Sequence, residues 1–133
     1  MVRRELIAIL AIAALAAGLL AGCGGGSDSE SSSTASADLS KCNIDGKQQD
    51  LGASYVTTIE VSGASCSQAE KVVTAYHQCR QKNGGAGGTC DTPVQGFDCS
   101  EAPRQSVPGV QFNATMDCKQ GDTEIKSTYT QNF

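Results

Sequence analysis

Apolar and polar positions alternate most regularly over residues 110–118. There Val110, Phe112, Ala114, Met116 and Cys118 are separated by Gln111, Asn113, Thr115 and Asp117. A period of two predicts a strand with one buried face. Lys119-Gln120-Gly121-Asp122 predicts a hairpin turn, and residues 124–131 a returning strand with Ile125 and Tyr129 inward. Residues 54–62 are rich in β-branched and aromatic types and predict an earlier strand, with Tyr55, Ile59 and Val61 on one face. Gly63 breaks it. The period then changes, because Ala69, Val72, Val73 and Tyr76 recur at helical spacing. Ser65 with Gln68, and Ser67 with Glu70, fit capping boxes that open a helix, and Asn83-Gly84 closes it. Arg80 intrudes on the apolar stripe and is expected to snorkel outward, complementing the helix dipole. After the glycine-rich stretch 84–88, residues 94–99 predict another strand. The order β-α-β-β-β makes this an α+β domain, with one helix packed on a small, mainly antiparallel sheet.

The amino-terminal pattern is different. Residues 6–21 are an unbroken apolar run of 16 residues, preceded by Arg3 and Arg4. A transmembrane helix needs roughly 20 residues, so an uncleaved anchor is disfavoured and a secretory signal is expected. The run ends at Leu20-Ala21-Gly22-Cys23, which resembles the lipobox of bacterial lipoproteins. That resemblance covers the first 23 residues. It implies that residues 1–22 are a signal peptide removed on export, and that Cys23 carries diacylglycerol and usually an acylated amine. It places the protein on the extracytoplasmic face of the cell membrane. One acyl chain anchors only marginally, whereas two or more hold stably. Arg3-Arg4-Glu5-Leu6-Ile7 also resembles a twin-arginine signal, but export of an unfolded chain is favoured because disulfides form afterwards.

Beyond Cys23, residues 24–40 are almost entirely Gly, Ser, Ala, Thr and acid. They bury too little apolar surface to order themselves, and as a flexible coil would span roughly 20–25 Å. The lipidated cysteine and linker thus occupy 23–40, and one domain occupies 41–133. Without the signal peptide, eight basic residues face thirteen acidic ones, a net charge of −5. No basic patch interleaved with aromatics exists, which excludes a nucleic-acid role, and the charge disfavours broad contact with anionic lipid.

Six cysteines remain in the domain: Cys42, Cys66, Cys79, Cys90, Cys99 and Cys118. An even number in a small exported domain predicts three disulfides. A zinc site is excluded because no C-x2-4-C pair exists and His77 is the only histidine. Cys66 and Cys79 lie on one helix, roughly 20 Å apart, and cannot pair. If the second strand runs back along the helix, Cys99 comes near Cys66. The third strand then carries Cys118 to the other end, where Cys42 enters, and Cys79 and Cys90 bracket the glycine loop. The expected set is Cys66–Cys99, Cys79–Cys90 and Cys42–Cys118.

Few residues suggest chemistry. The loop 84–88 lacks the G-x-x-x-x-G-K-[ST] pattern and follows a helix, so it is read as a connector. His77, with Glu70 two turns earlier, is the one candidate base, but no G-x-S-x-G serine or free cysteine accompanies it. It is read as a half-exposed histidine at the core boundary. Asp98, Glu101, Asp117 and Asp122 cluster near the last turns without an EF-hand pattern. Thr57, Glu60, Gln111, Asn113, Thr115, Thr128 and Thr130 form a polar sheet face, either plainly solvated or able to hydrogen-bond a glycan or protein. The segments VSGASC, GFDC and DCKQG resemble small cysteine-rich domains of exported bacterial proteins without an assigned activity. The leading expectation is a non-enzymatic envelope lipoprotein, without metal or cofactor, that binds a wall polymer or protein. The alternative is an inhibitor of an extracellular protease or hydrolase using loop 91–95 or 102–108, with Arg104 as anchor.

Overall fold

The computed structural model describes residues 38–133. The expected signal peptide, Cys23 and the linker up to residue 37 lie outside them. Seven elements follow: β1 (Ser40–Lys41), β2 (Tyr55–Ser62), α1 (Cys66–Lys82), β3 (Asp98–Glu101), β4 (Gln105–Val107), β5 (Gln111–Gln120) and β6 (Thr123–Asn132), with a short 3-10 turn at Gly85–Gly87. The strands form one sheet in the order β1-β2-β6-β5-β3, and β4 shares the outer edge of β5 with β3. All pairings are antiparallel. The helix covers one face, so the domain is α+β. No helix of the described residues is long and apolar enough to cross a membrane.

The strongest sequence signals became the central strands. Phe112, Ala114, Met116 and Cys118 of β5 and Ile125 and Tyr129 of β6 are all buried. The two-residue loop between them takes Gly121 at φ 57, the position where a type II′ hairpin turn requires a positive φ. The helix starts as the spacing predicts. The Ser65 hydroxyl accepts from the Gln68 amide at 3.2 Å, and Ala69, Val72, Val73 and Tyr76 are buried beneath it.

Several expectations are corrected. Tyr55 was expected inward, but the β2–β6 register shifts between Val56 and Thr58. This bulge at Thr57 reverses the alternation, so Val56 is buried and Tyr55 is 41% exposed. Val110 precedes β5 in the turn and is exposed rather than inward. Residues 94–97 form a tight turn closed by two Val94–Phe97 backbone hydrogen bonds of 2.8 and 2.9 Å, and the strand begins only at Asp98. Edge strands β1 and β4 were not foreseen. β3 and β4 form an interrupted edge, with three residues, Ala102-Pro103-Arg104, opposite two on β5. Proline cannot donate to a ladder and favours such a break.

The disulfides join Cys42 to Cys66, Cys79 to Cys90, and Cys99 to Cys118. The expected Cys66–Cys99 and Cys42–Cys118 bonds are therefore absent. Cys42 follows β1, which pairs with Glu60 and Val61 at the end of β2 and so lies beside the helix start. Cys99 faces Cys118 directly in the β3–β5 register: an antiparallel partner returns to the end where the first strand began. Cys79–Cys90 closes the glycine loop as the spacing implied.

Candidate functional site

Two polar arrangements stand out, one inside the domain and one outside. The inner arrangement begins on α1, whose buried face carries Tyr76, His77 and Arg80. Arg80 is 1% exposed, against the expectation that it snorkels to solvent. Its Nε donates to the Gly88 carbonyl at 3.1 Å, its Nη2 to the Ala86 carbonyl at 2.9 Å and its Nη1 to His77 Nδ1 at 3.0 Å. Its guanidinium stacks 4.7 Å from the Tyr129 ring centroid. The glycine loop is needed for this approach: a Cβ on Gly88 would lie 2.0 Å from the Arg80 carbonyl oxygen.

Glu101 reaches this cluster from β3. It accepts from the Tyr76 hydroxyl at 2.8 Å, from the Tyr129 hydroxyl and from Arg104 Nε at 2.5 Å. Arg80 Nε lies 3.6 Å from it. Burial pushes the Glu101 carboxyl up, but the hydrogen bonds from Arg104, Tyr129 and Tyr76 outweigh it and hold the pKa below the usual carboxylate range. Burial and the bond to Glu101 raise both tyrosine hydroxyls. Arg104 also donates to the Gly87 and Gly88 carbonyls, each at 2.7 Å, and lies 4.2 Å from the Phe112 ring centroid. The inhibitor reading used Arg104 as an outward anchor. In the structure Arg104 is 22% exposed and these bonds hold its guanidinium.

His77 is fully buried rather than half exposed, and burial, then the neighbouring Arg80 charge, lowers its pKa to about 3. It is neutral, with Nδ1 accepting from Arg80. Glu70 does not orient it, because the Glu70 carboxylate accepts from Lys47 Nζ at 3.0 Å. His77 is therefore a packing residue with a titration penalty. Below pH 6.5 an unfolded chain takes up a proton that the native histidine refuses, so stability falls as pH drops from 6.5 toward 3. The expected slope is about 1.4 kcal/mol per pH unit. Glu101 acts in the same direction at lower pH, since its depressed pKa makes its contribution disappear on acidification. Urea unfolding should show about half this slope between pH 7 and 6 and nearly all of it between pH 6 and 5, and His77→Gln should flatten it. Equal slopes in the two proteins would remove His77 as the cause.

The outer arrangement is the sheet face opposite the helix. Register places its side chains in cross-strand rows. One row is Tyr55, Thr130, Asn113 and Gln105, and the next is Thr58, Thr128 and Thr115. The third is Lys41, Glu60, Lys126, Asp117 and Ser100, and the fourth is Ser62, Glu124, Lys119 and Asp98. The face thus divides into a neutral half and a charged half. In the neutral half Thr130 Oγ1 donates to Asn113 Oδ1 at 2.7 Å, and the Thr115 and Thr128 hydroxyls are 3.1 Å apart. Thr57 Oγ1 donates to the Thr128 carbonyl at 2.9 Å and pins the bulge. In the charged half, burial and then the nearby Glu124 carboxylate raise the Asp117 pKa.

Of the residues singled out from sequence, the structure brings Thr115, Thr128, Thr130 and Asn113 into one patch, with Gln111 at its margin. Glu60 belongs to the charged rows. Glu101 is directed inward, away from Asp98 and Asp117. No group of three or more His, Cys, Asp or Glu is placed to hold a metal ion among the described residues. The carbonyls of the 86–88 loop face the arginines, the reverse polarity of a phosphate cradle. Sequence reasoning missed the Glu101 cluster. Its one visible trace was a charged residue, Arg80, within the apolar stripe. Comparisons with protein-family models, with curated proteins and with solved structures find no match.

Proposed function

We propose that this protein is a lipid-anchored envelope lipoprotein whose disulfide-held head binds a partner without catalysing a reaction. The observation that carries the reading is Leu20-Ala21-Gly22-Cys23 at the end of the apolar run. The Gly/Ser-rich stretch after it supplies a tether, and three disulfides suit a domain that works outside the cytosol. A binding role is favoured over catalysis by the character of the buried groups. His77 is enclosed and neutral, Glu101 and both tyrosines are mutually bonded, and the six domain cysteines are oxidised, so none of these groups is free to act as a nucleophile or base. The inhibitor reading is the less favoured one, because the Arg104 it relies on is engaged by Glu101 and the Gly87 and Gly88 carbonyls. Binding then falls to the surface the fold leaves open. Replacement Cys23→Ala is expected to abolish incorporation of labelled palmitate and to leave residues 1–22 attached. Undiminished labelling in that variant would contradict the anchor.

A further inference from the structure

We propose that the neutral half of the outer sheet face binds an uncharged polysaccharide; this deepens the envelope-display reading and rests on it. The row Tyr55-Thr130-Asn113-Gln105 crosses four strands, about 14 Å at the usual strand spacing. The Thr58-Thr128-Thr115 row lies beside it, so the patch presents hydroxyls and amides and no charge. At one margin Pro103, from the interrupted edge, lines a groove of about 230 Å³ with Gln105, Asn113, Thr115 and Thr128. At the other margin Tyr55 is 41% exposed. An aromatic face beside fixed hydroxyl and amide groups suits a ring that is polar at its rim and apolar on its faces, which is the chemistry of a sugar.

The hydrogen bonding leaves amide donors free for this occupant. Thr130 Oγ1 donates to Asn113 Oδ1, and neither Asn113 Nδ2 nor the Gln105 side chain makes a hydrogen bond among the described residues. Asn113, Thr115, Thr128 and Thr130 sit on the central strands β5 and β6, so little ordering of these groups is lost on binding. Charge selects among polymers. The adjoining rows place Glu60, Asp98, Asp117 and Glu124 beside Lys41, Lys119 and Lys126, and this near-balance offers no surplus of positive charge to hold an anionic chain.

The test uses the full-length protein in nonionic detergent, run in native gels cast with dextran, a mannan or a galactan. At least one should slow it. Tyr55→Ala and Asn113→Ala should each weaken that retardation roughly tenfold, as for loss of a stacked ring or of fixed hydrogen bonds. Lys119→Ala, in the charged half, should stay within about twofold. Both Tyr55 and Asn113 are exposed, and circular dichroism confirms folding of each variant. Retardation indifferent to Tyr55→Ala and Asn113→Ala overturns the site. So does failure of all three polymers, or stronger binding to polygalacturonate than to any of them. Palmitate labelling of the same preparation separates the two claims: a labelled protein that ignores glycans sinks only this inference, and an unlabelled one sinks the envelope reading.

Discussion

Replacing Glu101 with alanine is expected to destabilise the domain by about 3 kcal/mol, near the low end for breaking a buried ion pair because the side chain keeps 12% exposure. The loss comes from what stays behind. Arg80 is buried and faces Glu101 at 3.6 Å. Tyr76, Tyr129 and Arg104 would each lose an acceptor in a space with few substitutes. The carboxylate ties together the helix, the interrupted edge and central strand β6, so its removal loosens three elements at once. Glu101→Gln keeps an acceptor oxygen and should cost less than alanine. Tyr129→Phe removes one donor and should cost about 1 kcal/mol. Urea unfolding at pH 7 gives all three values. A Glu101→Ala protein within 1 kcal/mol of wild type would show that the cluster is not a structural staple.

Reduction should have the larger effect. The bridges close loops with sequence separations of 24, 11 and 19 residues. Each contributes about 3 kcal/mol on the chain-entropy account. Together they match the entire net stability of an ordinary domain, roughly 5–15 kcal/mol. The chain has no Trp and only three Phe and three Tyr, so the core has little reserve. Treatment with dithiothreitol at pH 8 should abolish the cooperative urea transition and the near-ultraviolet circular dichroism at 25 °C. A reduced protein that still unfolds cooperatively would place the stability in the core instead.

The legible parts of the fold were those with an uninterrupted period. Strand β5 alternates without a break from Gln111, and α1 has both a capping serine and a terminating Asn-Gly, so local pattern and final structure agree. The bulge at Thr57 has no signature in a β-branched run, and Tyr55 therefore changed faces unannounced. The Ala102-Pro103-Arg104 break was hidden because a proline usually ends a strand, whereas here the strand resumes as β4. Arg80 is the most instructive case. A lone arginine on an apolar stripe normally reaches water, and its buried partners, Glu101 and the 86–88 carbonyls, are fixed only by tertiary contact. The disulfides turned on register. Whether Cys99 meets Cys66 or Cys118 depends on which strand lies beside β3, and periodicity is silent on that. The neutral face was visible residue by residue, but its division from the charged rows needed the cross-strand alignment.

The central claim is an oxidised head held outside the cytosol by lipid on Cys23. Intact mass spectrometry of protein extracted from native membranes, without reduction and after alkylation, addresses it directly. The account predicts a chain starting at Cys23, heavier by a diacylglycerol and an acyl group, with none of the six domain cysteines alkylated. A chain still starting at Met1, free of lipid and carrying six alkyl groups, would contradict it.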